Sequence, residues 1–146
     1  MGSEHAQLQI QEALDAFVRE ALAVGVQLCE RSGASLAISG DLFRVDPGRF
    51  AASLAGALAS AQGLMRPLGP DRVESLCIDA GAVKLLAASV KPGYTAVVVF
   101  DDRTTLGVVR WRLATLVDRL SGLLGSQEHR SMGSPITDEE IENLFS

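Results

Sequence analysis

Between Arg49 and Arg66 the chain carries no charged residue. Asp46-Pro47-Gly48 opens this stretch with a side-chain cap and a proline in the first helical turn, and Pro67, Gly69 and Pro70 close it. Phe50, Leu54, Leu58, Ala61 and Met65 recur inside it at helical spacing. A helix lying on one face of a sheet normally keeps a polar outer side, and this one has none, so its far side must also be covered. Ala52, Gly56, Ala59, Ser60 and Gly63 fall on that far side, where small side chains let another backbone approach. The self-complementary cover is a second copy of the same helix, since isologous twofold dimers are the commonest oligomers. A homodimer is therefore expected; the competing explanation is an alanine-rich helix kept for propensity alone.

The rest of the chain fits around this helix. Ile10, Leu14, Phe17, Ala21 and Leu22 predict a first helix. Short apolar stretches at 24–29 and 35–38 flank Arg31-Ser32-Gly33 and predict a hairpin. After the uncharged helix come 73–78, 83–90 and 95–100, rich in β-branched residues and separated by Ala80-Gly81 and Lys91-Pro92-Gly93, which read as three antiparallel strands. Thr105 then caps a third helix with an apolar stripe at Leu106, Val109, Leu113, Leu116, Leu120 and Leu123, ending at Gly125. The fold class is α/β, in the order α-β-β-α-β-β-β-α. The strands are apolar throughout, so both faces of the five-stranded antiparallel sheet need cover. Helix two is placed on one face and helices one and three on the other, giving three α/β/α layers.

Composition narrows the function. At 146 residues, 47% hydrophobic and 21% charged, the chain is one folding domain with a tail. Its net charge of −5 leaves no general basic surface for nucleic acid. Residues 1–125 contribute −1 and residues 126–146 contribute −4, so the acidity belongs to the tail. No stretch is long and apolar enough for membrane insertion, and the N-terminus has no signal pattern, which predicts a cytoplasmic protein. Cys29 and Cys77 sit singly in apolar runs and read as reduced core thiols, with Arg31 the one cation near Cys29.

With the run ESLCIDAGAVKLLAASVKPGYTAVVVFDDRTTLGVVRWRL and the Gly33 hairpin, this order of elements resembles the Roadblock/LC7 domain family over about residues 6–125. The TLGVVRWRL entry into the last helix is similar to that of the bacterial MglB-like regulators of a Ras-like small GTPase in gliding motility and cell polarity. The resemblance implies dimerisation through helix two and the strand after it, which adds Val73, Ser75 and Cys77 to the interface. It implies a noncatalytic regulator or adaptor, or an activator that reorganises the GTPase's own site. Another Roadblock protein is a possible pairing partner. The resemblance carries no catalytic residue and no cofactor.

The residues themselves agree on chemistry. There is no GxxxxGK[ST] loop, so the chain is not itself the GTPase. His5 and His129 stand in the terminal segments without metal-ligand spacing, and no base accompanies Ser35 or Ser39, so neither a metal site nor an enzyme is expected. A ligand-sensing module is the reading from another class, and needs a pocket with convergent polar groups. On helix three, Arg103, Arg110, Arg112 and Arg119 flank the leucine stripe. Trp111 lies opposite it, amid Gly107, Ala114, Thr115 and Gly122, where either helix one or a partner must cover it.

The ending carries its own signal. Residues 126–135 read as a flexible linker. Thr137 and Glu140 then form a capping box, Ile136 and Ile141 a hydrophobic staple, and Asp138 and Glu139 place negative charge in the first turn. A helix over 136–146 is shorter than the ~12–15 residues needed for stability alone, so it must dock. Ile136, Ile141, Leu144 and Phe145 are its contact residues, either for a partner protein with basic groove edges or for its own domain. DEEIENLF is also similar to short acidic docking motifs of flagellar switch proteins, which makes a signalling protein a second possible tail partner.

Overall fold

The fold was obtained as a computed structural model, which describes residues 2–42 and 45–133, with side chains over 4–42 and 45–126. Its elements are α1 (Gly2–Ala21), β1 (Gly25–Glu30), β2 (Ser35–Gly40), α2 (Pro47–Met65) with a 3₁₀ turn over Arg66–Leu68, β3 (Ser75–Asp79), β4 (Lys84–Val90), β5 (Tyr94–Phe100) and α3 (Leu106–Gly133). All strand pairs are antiparallel, in the order β2-β1-β5-β4-β3. β1 and β5 are therefore central, and β2 and β3 are the edges.

Strand alternation distributes the core. Val26, Leu28, Leu86, Val90, Ala96, Val98 and Phe100 face one side, where Leu14 and Phe17 of α1 and Val109, Leu113, Leu116 and Leu120 of α3 cover them. Cys29, Ala87 and Val97 face the other, beneath Ala51, Leu54 and Leu58 of α2. The three expected layers are present, with each helix on the face assigned to it. The caps hold as well. Asp46 accepts hydrogen bonds from the amides of Gly48 (3.0 Å) and Arg49 (3.2 Å), and Thr105 Oγ1 accepts from the amide of Val108 (3.3 Å).

α1 and α2 are clipped to the sheet by polar side chains. Asp15 accepts from Ser39 on β2 and from Gln11 (3.0 Å), and Gln11 also donates to the Ile38 carbonyl at 3.1 Å. The two bonds that Asp15 accepts, the Ser39 one first, hold its carboxyl below the usual pKa. Gln27, fully buried on β1, donates through Nε2 to Ser35 Oγ (2.8 Å) and the Pro47 carbonyl (2.9 Å), fixing the start of α2 to the β1–β2 hairpin. Gly40, with φ +91°, stands opposite Gly25 at the open end of that hairpin, and a Cβ there would lie 2.5 Å from the Val24 carbonyl oxygen.

Three expectations are corrected. Leu22 does not join the α1 stripe but is 57% exposed with φ +55°. It occupies the left-handed position after the helix, where Ala23 N–H closes a 3.2 Å bond to the Val18 carbonyl. α3 does not stop at Gly125, and 126–133 is helical rather than linker. Gly125 does not take the positive φ of a helix terminator, and the following Gln127, Glu128, Arg130 and Met132 are good helix formers. At its end the buried stripe residue is Leu124, with Leu123 only partly buried. Residues 134–146, including Ile136, Ile141, Leu144 and Phe145, lie outside the described residues.

Candidate protein-interaction surface

The far side of α2 is bare. Ala52, Gly56, Ala59, Ser60 and Gly63 are all exposed in the single chain, while Ala51, Leu54 and Leu58 turn inward. A Cβ added at Gly56 or Gly63 would meet nothing within 4 Å. Leu64 and Leu68, each 75% exposed, continue the face toward the helix end. The helix thus offers an uncharged strip of small side chains ending in two large apolar ones. Such a strip remains costly in water and suits close helix-to-helix packing.

Beside it runs the edge of β3, which pairs only with β4. Its side chains do not all point the way of α2. Leu76 joins the α2 cluster with Val73, Leu85 and Ala87, whereas Ser75 and Cys77 alternate to the α3 side and are exposed. Of the eight residues expected at a dimer interface, Ala52, Gly56, Ala59, Ser60 and Gly63 therefore form one face. Val73 is half-buried and packs with the α2 cluster, and Ser75 and Cys77 belong to the strand edge, on the α3 side of the sheet rather than on the α2 surface. Cys77 is accordingly no core thiol. Cys29 is, at 1% exposure, with its Sγ donating to the Thr95 carbonyl at 3.5 Å and burial pushing its pKa up to about 11.

Trp111 stands on the opposite layer and is 64% exposed, so α1 does not cover it. What α1 meets is Arg112, whose Nη1 donates to Glu20 Oε2 at 3.3 Å while its guanidinium lies 4.7 Å from the Trp111 ring centroid. Gly107, Ala114, Thr115 and Gly122, on the same face of α3, are exposed as well. Arg103 is not on α3. It sits in the preceding turn, donating to Asp101 at 3.0 Å and holding that carboxyl below its usual range. The sheet separates Trp111 from the α2 strip, giving two independent surfaces.

Among the grooves that adjoin α3, two reach the sheet. One, of about 280 Å³, runs between β3–β4 and α3 over Leu86 and Leu113, with Arg110 and Asp118 among its lining residues. The other, of about 120 Å³, lies near the end of the α3 stripe, with Leu28 and Leu124 among its lining residues. Among the described residues no cluster of His, Cys, Asp or Glu could hold a metal ion, and no helix is long and apolar enough to cross a membrane. Gln27 and Thr95 are the buried polar residues among those described, and Gln27 is the one with a partnerless side-chain atom, Oε1. Its signal in the sequence was a lone amide inside an apolar strand run.

No family profile matches the sequence, and no curated protein is similar to it. Solved structures are. Myxococcus xanthus MglB matches with a TM-score of 0.76 at 27% identity, over 81% of this chain and 96% of that one. The gliding protein MglB of Thermus thermophilus matches at 0.72 and 24%, over 82% and 88%. A Roadblock/LC7 domain from Streptomyces avermitilis matches at 0.69 and 15%, over 78% and 96%. Together with the element order and the three layers, these likenesses identify the fold as Roadblock/LC7 in its MglB-like form.

Proposed function

We propose that the protein is a noncatalytic homodimeric regulator of a Ras-like small GTPase, acting in the cytoplasm in polarity or gliding control. The observation that carries this reading is the uncharged, exposed strip of α2 beside the edge of β3. A twofold partner covers both at once, helix on helix and strand on strand, and removes the unpaired edge. The likeness to MglB structures supports the GTPase as the further partner. In this reading the dimer presents the paired α2 layer on one side and two Trp111 surfaces on the other, and the 136–146 segments serve as additional docking elements. The pairing can also be made with another Roadblock protein through the same surfaces.

The chain carries its own reporter for the pairing, because Cys77 is exposed at the middle of β3 while Cys29 is buried. Sedimentation should give a dimer, and a short bismaleimide should link two chains through Cys77, with the Cys77→Ser variant unlinked. A monomer at every concentration would end the homodimer reading. The GTPase is tested separately, by titrating the genome-neighbour Ras-like protein loaded with GTP or GDP and following phosphate release in the same tube. Nucleotide-selective binding supports the regulator, faster hydrolysis makes it an activator, and no binding in either state rejects the GTPase as its partner.

A further inference from the structure

The smaller groove lies where α1 begins and the α3 stripe ends. Ile10, Leu28 and Leu124 form its buried floor, and Gln7, Gln11 and the 40%-exposed Leu36 stand at its mouth. Its volume of about 120 Å³ is on the scale of a cavity that accepts one benzene ring. Tyr94, which also lines it, ties the groove to the two hairpin tips at this end of the sheet. Glu30 and Val90 pair with Tyr94, and the Arg31 amide donates to the Gly93 carbonyl at 3.1 Å. Arg31 and Lys91 therefore flank the groove with positive charge, and Glu30, the acid among them, accepts from Ser32 at 3.3 Å.

α3 runs on past this groove from Leu124 to Gly133, about 13 Å at the rise of an α-helix. Residues 136–146, written as a capped helix, would be about 16 Å long. A reversal at Ser134-Pro135 brings such a helix back antiparallel to the last turns of α3 and sets Leu144 and Phe145 level with Leu124. The same helix cannot reach its own Trp111, which lies about 33 Å back along α3. Its acids, Asp138, Glu139, Glu140 and Glu142, match the basic hairpin tips in sign.

We propose that the 136–146 segment latches onto its own domain, with Phe145 plugging this groove. The latch holds the residues that a tail-binding partner would need, so the Kd of such a partner is raised by the reciprocal of the unlatched fraction. The inference concerns the free chain and does not depend on the GTPase reading.

A glutamate-specific protease tests it on the full chain, followed by mass spectrometry at the bond after Glu139. Phe145→Ala and Leu36→Gln should each speed that cut about ten-fold, because cleavage tracks the open population. The double variant should be no faster than the faster single one, and none of the rates should depend on chain concentration. Equal rates for the parent and Phe145→Ala would overturn the latch. Acceleration by Phe145→Ala without acceleration by Leu36→Gln would place the tail elsewhere, and protection that rises with chain concentration would make the occupant another copy's tail; either result overturns the proposal.

Discussion

Adding one methyl group at each of Gly56 and Gly63 should move stability in opposite directions in the single chain and in the dimer. In the single chain the new Cβ atoms meet nothing within 4 Å. Glycine inside a helix costs about 0.5–1 kcal/mol relative to alanine, so the pair Gly56→Ala/Gly63→Ala stabilises the isolated fold by about 1–2 kcal/mol. In a twofold dimer packed through this strip, each methyl is present on both subunits and enters a close contact, where overpacking costs about 1–3 kcal/mol per site. At the low end of that range the methyls of both subunits weaken association by about 4 kcal/mol, or about a thousand-fold in Kd. Sedimentation equilibrium measures the Kd, and urea unfolding across chain concentrations measures the stability. The variant's midpoint should exceed the parent's at dilutions that favour monomer and fall below it at high concentration. A midpoint raised at every concentration, with Kd unchanged, would mean that the strip is not buried in the dimer and would refute the two-faced helix.

Three further outcomes can be measured on single variants. Leu22→Gly should raise stability by about 1 kcal/mol in urea unfolding, since the left-handed backbone there strains a side chain that is mostly in water; a loss would show that Leu22 is needed for packing. Asp15 has a folded pKa below the usual 3.8, so the stability it contributes is complete above that value and drains away as pH falls through the lowered one. Asp15→Asn should flatten the acid limb of stability against pH down to about 2, and an unchanged limb would deny the clip its role. Trp111→Ala should leave the unfolding free energy within about 0.5 kcal/mol of the parent's, as expected for a largely exposed side chain, while weakening any partner that uses this face; a large fall would assign Trp111 to the fold.

The layers were legible because the punctuation is strong. Asp46-Pro47, Thr105 and the hairpin glycines each commit the backbone locally, and the apolar periods between them allow one assignment. Where the reading failed, the deciding information was not local. Cys77 and Cys29 sit in similar apolar runs, and only the strand order, which makes β3 an edge beyond the reach of α3, separates the exposed thiol from the buried one. Leu22 has the right spacing for the α1 stripe, but the chain must reverse there to enter β1, and the backbone overrides the pattern. Gly125 looks like a terminator, yet a glycine ends a helix only when it turns left-handed, and this one does not. The apolar outer side of α2 was legible by the same logic as the core, since a helix segment without charges has no polar face to turn outward.

The groove that joins Gln7 of α1 to Leu124 of α3 also says something about how the domain can be cut and rejoined. The first and last core-bearing turns are neighbours in space, although they are the farthest apart in the domain's sequence. A short bridge between them, with new ends opened at an exposed hairpin tip such as Ala80-Gly81, should yield a circular permutant with the same sheet. The same proximity suits the domain to insertion as a cassette into a loop of another protein, with the α2 layer left uncovered on the opposite face.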